Sequence, residues 1–144
     1  MKNLQQIKQK GFTLIELLLV IAIIGVLTSF LLVNFIGTKA RARDAQRKSD
    51  LRQLQSALEL YRADVGTYPA APLAACGTAL TSGGTTYIQK IPCDPSTKAS
   101  YIYTTTGTTY TLTACLENTN DSQKDSTNNA ACTAGTASYT VNNP

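Results

Sequence analysis

The chain has 144 residues, 15% of them charged, with 13 basic and 9 acidic side chains and no histidine. Without imidazole, histidine-based catalysis and histidine-rich metal centres are excluded, and no Gly-rich phosphate loop or paired carboxylates nominate another chemistry. The length allows one small domain beside a membrane segment.

Met1–Gly11 carries Lys2, Lys8 and Lys10 and no acidic residue, as suits a segment kept on the cytoplasmic side. If it is removed, the net charge of +4 falls to +1, ten basic residues against nine acidic, which makes no case for a nucleic-acid partner.

Residues 12–36 form an apolar run whose only formal charge is Glu16. As a helix it would extend about 37 Å, enough to cross a bilayer. An ionised carboxylate in such a run costs several kcal/mol unless it is paired or neutralised. No lysine or arginine within the run serves it. Cutting the chain after Gly11 would give Phe12 a free α-amino group one turn from Glu16, so a packed array of these helices could satisfy each carboxylate with its own or a neighbour's amine. A secretory signal would have a shorter apolar core followed by a small-x-small site. A plain anchor would leave Glu16 unexplained. Gly25 and Gly37 are the weak points of the helix, each costing about 1 kcal/mol relative to alanine, and local melting, were it to occur, would be sought from Gly25 to Thr28-Ser29.

Past the run come Lys39, Arg41, Arg43, Arg47, Lys48 and Arg52 against Asp44 and Asp50. Counted alone they point weakly to the wrong orientation for an outward C-terminal part. The cysteines outweigh that count. Leu51, Leu54, Leu58, Tyr61 and Val65 recur every three or four residues, one apolar stripe on a helix that should pack on a sheet. Most of the charged positions read as a solvated face, with Arg47–Asp50 attractive and Lys48–Arg52 repulsive; Arg41 to Arg52 are also placed to meet acidic groups of adjacent subunits or lipid headgroups. Gly66-Thr67-Tyr68-Pro69 ends the helix.

In the remainder, Leu73–Leu80 reads as one or two helical turns before a Thr81-Ser82-Gly83-Gly84 turn. Residues 101–104, 110–116 and 138–141 read as three antiparallel strands, Gly107 turning the first into the second. Tyr110, Leu112, Ala114 and Leu116 form the alternate set expected to cover the helical stripe. Glu117–Ala131 is polar, hence an exposed loop, and Asn120-Asp121-Ser122 within it fits a glycosylation sequon. The four cysteines suit two disulfides in an oxidising compartment. Cys76–Cys93 with Cys115–Cys132 is favoured, since each closes a loop local in sequence; nested and crossed pairings remain open.

Gly11-Phe12-Thr13-Leu14-Ile15-Glu16, followed by Leu17-Leu18-Leu19-Val20-Ile21-Ala22-Ile23-Ile24-Gly25, resembles the class III signal and N-terminal helix of type IV pilins and pseudopilins. The likeness covers about residues 8–70. It implies cleavage after Gly11 by a prepilin peptidase, methylation of Phe12, and pairing of Glu16 with a neighbour's N-terminus during assembly. Val33 departs from the proline many pilins have there. Gly66-x-Tyr68-Pro69 and Ile91-Pro92-x-Asp94-Pro95 resemble the helix end and connecting loop of pseudopilins. Major pseudopilins hold calcium near the polar loop, so Asn118, Asn120, Asp121 and Asp125 are candidate ligands, although a solvated loop without metal is the preferred reading.

The resemblance implies an α+β, lollipop-shaped fold, a long N-terminal helix on a small antiparallel sheet. The parts would be a cleaved leader (1–11), a transmembrane and polymerisation helix (12–36), an amphipathic second half (37–66), a connecting loop (67–100) and a sheet with a disulfide-tied loop (101–144). The leading expectation is a structural subunit, the major pilin of a type IV pilus, and not an enzyme; the alternatives are the major pseudopilin of a type II secretion system and a membrane-tethered binding domain. No cofactor is called for. Expected partners are further copies in a helical homopolymer, the prepilin peptidase, an inner-membrane assembly platform and, before assembly, the lipid bilayer. The subunit would be a single-pass inner-membrane protein first and part of an extracellular filament afterwards.

Overall fold

The computed structural model describes residues 11–144, with the side chains of 30–36 outside the description. The leader expected at 1–11 therefore lies, except for Gly11, beyond the described residues. Two compact units divide the chain at Gly37 and Thr38.

In the first unit, Thr13 precedes α1 (Leu14–Val65), a helix that continues through Gly25. Thr28 and Ser29 return their hydroxyls to the Ile24 and Val26 carbonyls, each at 2.7 Å, so neither is left without an acceptor. The large apolar side chains from Phe12 to Leu27 are exposed. Among the described residues no helix is long and apolar enough to cross a membrane; the run read from the sequence continues through 30–36, outside the described side chains.

In the second unit, the C-terminal half of α1 packs on the sheet. Leu51, Leu54, Ala57 and Leu58 are buried and Tyr61 is half-buried. The stripe stops short of the expected Val65, which is exposed because the helix ends there. Gly66 takes a φ of 90° and donates its amide to the Arg62 carbonyl at 2.8 Å, a left-handed cap that residues with a Cβ rarely adopt.

The chain then differs from its sequence-based expectation. Leu73–Leu80 is not helical. The Gly77 amide donates to the Ile91 carbonyl and the Ile91 amide to the Thr78 carbonyl, both at 2.7 Å, so beyond one turn closed by Thr78 on the Ala75 carbonyl this segment pairs with a distant one. Leu80 opens β1 (Leu80–Ser82), which pairs with β2 (Thr85–Ile88) as a small hairpin the sequence reading took only for a turn. Gly83 and Gly84 both have positive φ, as a tight two-residue hairpin requires.

The main sheet is the antiparallel meander β3 (Ile102–Thr105), β4 (Tyr110–Leu116) and β5 (Ala137–Asn142). The α+β class is as the sequence implied, with two sheets in place of one. Pairing of Tyr103 with Leu112 and of Ala114 with Tyr139 sets the register. Tyr110, Leu112, Ala114 and Leu116 are all buried, as period-two alternation requires of the core face. Tyr68 and Tyr110 donate their hydroxyls to Glu59 Oε1 at 2.9 and 3.1 Å, which satisfies the phenols at the base of the core. The cysteines form Cys76–Cys93 and Cys115–Cys132.

Candidate functional site

Two places carry chemistry beyond packing. The first is the start of α1, where Thr13 and Glu16 form a reciprocal capping box. Glu16 Oε2 accepts from the Thr13 amide at 2.9 Å and from the Thr13 hydroxyl at 2.7 Å, while the Glu16 amide donates back to Thr13 Oγ1 at 3.3 Å. Glu16 therefore has a partner in its own chain that the sequence reading did not name, although Thr-x-x-Glu is the pattern that reveals it. Among the described residues Oε1 accepts no hydrogen bond. Gly11 and Phe12 lie just before the helix and are exposed, so the bond between them is not buried in the fold.

The second place is a cluster of charge where α1 meets the loops of the second unit. Arg43, Asp44, Arg47 and Lys48 share one face of the helix by their spacing. Arg47 is 2% exposed and reaches three carboxylates: Nε to Asp94 Oδ2 at 2.6 Å, Nη1 to Asp44 Oδ1 at 2.7 Å and Nη1 to Glu117 Oε1 at 2.9 Å. Arg43 forks onto Glu117. Asp44, also 2% exposed, accepts the Glu117 amide at 2.9 Å and the Asn118 amide at 2.8 Å.

This corrects the solvated face read from the sequence for Arg43, Arg47 and Lys48. Arg47 does not pair with Asp50, whose carboxylate instead accepts the Tyr101 hydroxyl at 2.6 Å. The reason is tertiary. The 94–99 turn and the end of β4 bring carboxylates that no local spacing reveals. Asp94 organises that turn by accepting the Ser96 and Thr97 amides at 2.8 and 2.9 Å.

The electrostatics follow from this geometry. Burial opposes ionisation of Asp94, yet Arg47 and the Thr97 and Ser96 amides outweigh it and bring its pKa down to about 2. Hydrogen bonding from Arg43, against a smaller cost of burial, holds Glu117 at about 2. Burial works against the Arg47 charge as well, but its carboxylate partners prevail and its pKa rises further. Arg47, Asp94 and Glu117 are each held in the charged form by these contacts, and their charges are cross-paired.

The polar loop expected to be merely exposed is tied in at several points. Lys48 Nζ donates to Asp121 Oδ1 at 2.6 Å and Gln123 Oε1 at 3.0 Å. Asp125 accepts from Ser138 Oγ at 2.6 Å, Thr140 Oγ1 at 2.7 Å and the Thr140 amide at 3.1 Å. Asn118 Oδ1 accepts the Asn120 amide at 3.2 Å.

Asn118, Asp121 and Asp125 are thus committed to separate donors, and Asn120 takes part through its backbone amide. A calcium ion needs six to eight convergent oxygens. Among the described residues no group of three or more acidic or sulfur ligands converges. The loop does not fit the metal.

Comparison with known proteins places these features in a family. The prokaryotic N-terminal methylation motif matches residues 7–32, and the family model for type II secretion system protein G matches residues 34–134. The chain belongs to the type II secretion system protein G family. It is 37% identical over 98 residues to the type II secretion system core protein G of Vibrio cholerae, covering 61% of this chain and 66% of that protein. Against the same-named protein of Escherichia coli it is 36% identical over 102 residues, covering 61% of this chain and 67% of that protein. A 61-residue stretch is 38% identical to a type IV major pilin protein of Myxococcus xanthus, covering 42% of this chain and 28% of that pilin. The chain thus spans about two thirds of the length of the secretion proteins it matches. No solved structure matches it.

Proposed function

We propose that this chain is the major pseudopilin of a type II secretion system, a structural subunit cut after Gly11, methylated on Phe12 and polymerised through residues 12–36. The observation that carries this reading is the match of the protein G family across residues 34–134, which takes in most of the second unit, the head (Thr38–Pro144), and not only the N-terminal motif. The pilus reading that led the sequence analysis has less behind it, since the similarity to a pilin covers 28% of that protein.

The exposed apolar surface of the first unit supports polymerisation, because packing it against further copies removes it from water or lipid. The prepilin peptidase, an inner-membrane assembly platform and the bilayer before assembly are the partners this reading requires. Intact-mass analysis of the protein from membranes should find a chain starting at methylated Phe12 and lighter than the reduced mass by the four thiol hydrogens. Expression in a host lacking its own protein G should then restore export of its secreted enzymes. Long surface filaments without restored export would favour the pilus instead.

A further inference from the structure

Lys48 sits in a cage of groups suited to a cation. Its ammonium has the Asp121 carboxylate at 2.6 Å, the Gln123 amide oxygen at 3.0 Å and the Tyr139 ring at 5.5 Å from the centroid. Lys48 and Asp121 side chains are each 16% exposed. Both ends of the loop are fixed independently, by the Cys115–Cys132 disulfide and by Asp44 on the Glu117 and Asn118 amides.

The middle of the loop is held differently. There, Asp125 and the Asn128 side chain take the strand donors of Thr140 and Ser138, so the loop lies along β5 and covers groups a sheet edge would otherwise show to water. What remains is the turn at 121–123, where a carboxylate and an amide oxygen point at the same space. A divalent ion would have to displace the ammonium to enter it, with no third carboxylate among the described residues to hold it.

We propose that Lys48 is the built-in cation of this loop, tying residues 121–123 to the helix, so that the head keeps its closed form without calcium. The consequence reaches beyond the secretion reading. A subunit stapled by its own ammonium and a disulfide holds its head shape in media of any calcium content, whether the filament drives secretion or extends from the surface.

The test uses the full chain in detergent micelles, with trypsin cleavage after Lys124 as the measure of loop opening. Excess EGTA or millimolar calcium should leave the wild-type rate unchanged to within about twofold. Lys48→Met should raise it about tenfold, Lys48→Arg should restore most of the protection, and added calcium should not rescue the Met variant. Faster cleavage of the wild type in EGTA would overturn the proposal, as would an unchanged rate in a folded Lys48→Met chain. Should Lys48→Met fail to fold, terbium titration of the wild type decides. Tyr139 lies close enough to sensitise a lanthanide at Asp121, so the expected result is no saturable emission, and a saturable signal displaced by calcium would refute the built-in cation.

Discussion

From Phe12 to Leu27 the large side chains are exposed, and as far as Ser29 the side-chain hydrogen bonds among the described residues are local, Thr13 with Glu16 and Thr28 and Ser29 to carbonyls one turn back. From Thr38 onward, the same helix has Leu51, Leu54 and Leu58 buried in the core, and Arg43, Arg47 and Lys48 engaged with partners more than forty positions away. One helix thus follows two rules. Among the described residues its first part is held by local bonds, its cap included, and leaves its apolar side chains exposed, whereas its second part is committed to its own chain. The contrast teaches where mutations should act: on assembly in the first part, on stability in the second.

The largest expected effect tests the first part. Glu16→Ala should leave expression and N-terminal processing intact but lower the assembled fraction about tenfold or more, because under the proposed pairing each neighbour's amine would lose its buried partner. Normal filament yield, measured by chemical crosslinking or shearing, would break the pairing argument.

In the second part, Arg47→Met should leave assembly-segment processing unaffected and destabilise the head by about 3–5 kcal/mol, since Asp44 and Asp94 are then buried without their cation. Urea unfolding of the detergent-solubilised chain, followed by circular dichroism, measures it; a loss below about 1 kcal/mol would show that the cluster is open to water. Reduction of the disulfides comes next. Each closes a separation of 17 residues, worth about 3 kcal/mol through restriction of the unfolded chain. The Cys115→Ser, Cys132→Ser double variant should lower the urea midpoint with little change in assembly through residues 12–36.

Acid sharpens the comparison further. Asp94 and Glu117 have pKa values depressed to about 2 in the folded chain. A depressed carboxylate stabilises the fold above its unfolded pKa and loses that contribution as pH falls through the folded one. Head stability should therefore drop between about pH 4.5 and 2, by roughly 2 kcal/mol for Asp94. Asp94→Asn should flatten that slope while lowering stability at neutral pH.

The apolar run, the helix end at Gly66, the three main strands and the inward set on β4 were legible because each is a local pattern: a period, a cap, an alternation. The head's charge cluster was not. Arg43, Arg47 and Lys48 look like any solvated helical face, and their partners Asp94, Glu117 and Asp121 lie 47 to 74 positions away. Only the fold brings them together. The β1–β2 hairpin was missed for a related reason, since the pairing of Thr78 with Ile91 that draws Leu73–Leu80 out of a helix is non-local. The Thr13–Glu16 box, by contrast, is a local Thr-x-x-Glu pattern legible in the sequence, where a lone carboxylate in an apolar run is also a cap.

That box yields the smallest and most discriminating prediction. Thr13→Ala removes the hydroxyl that donates to Glu16 and accepts the Glu16 amide, while leaving the residue-13 amide as a donor to the carboxylate. The loss should be about 1 kcal/mol, confined to the first turn. Amide exchange at Glu16 should quicken several-fold in the isolated chain, with urea unfolding of the head unchanged. If the capping bonds and the neighbour's amine compete for the carboxylate, Thr13→Ala should assemble as well as the wild type or better. If the cap instead orients Glu16 so that its free Oε1 meets the amine, the same substitution should lower assembly, though by less than Glu16→Ala. The sign of that change therefore says whether the capping bonds Glu16 makes within its own chain oppose or prepare the bond proposed with the next.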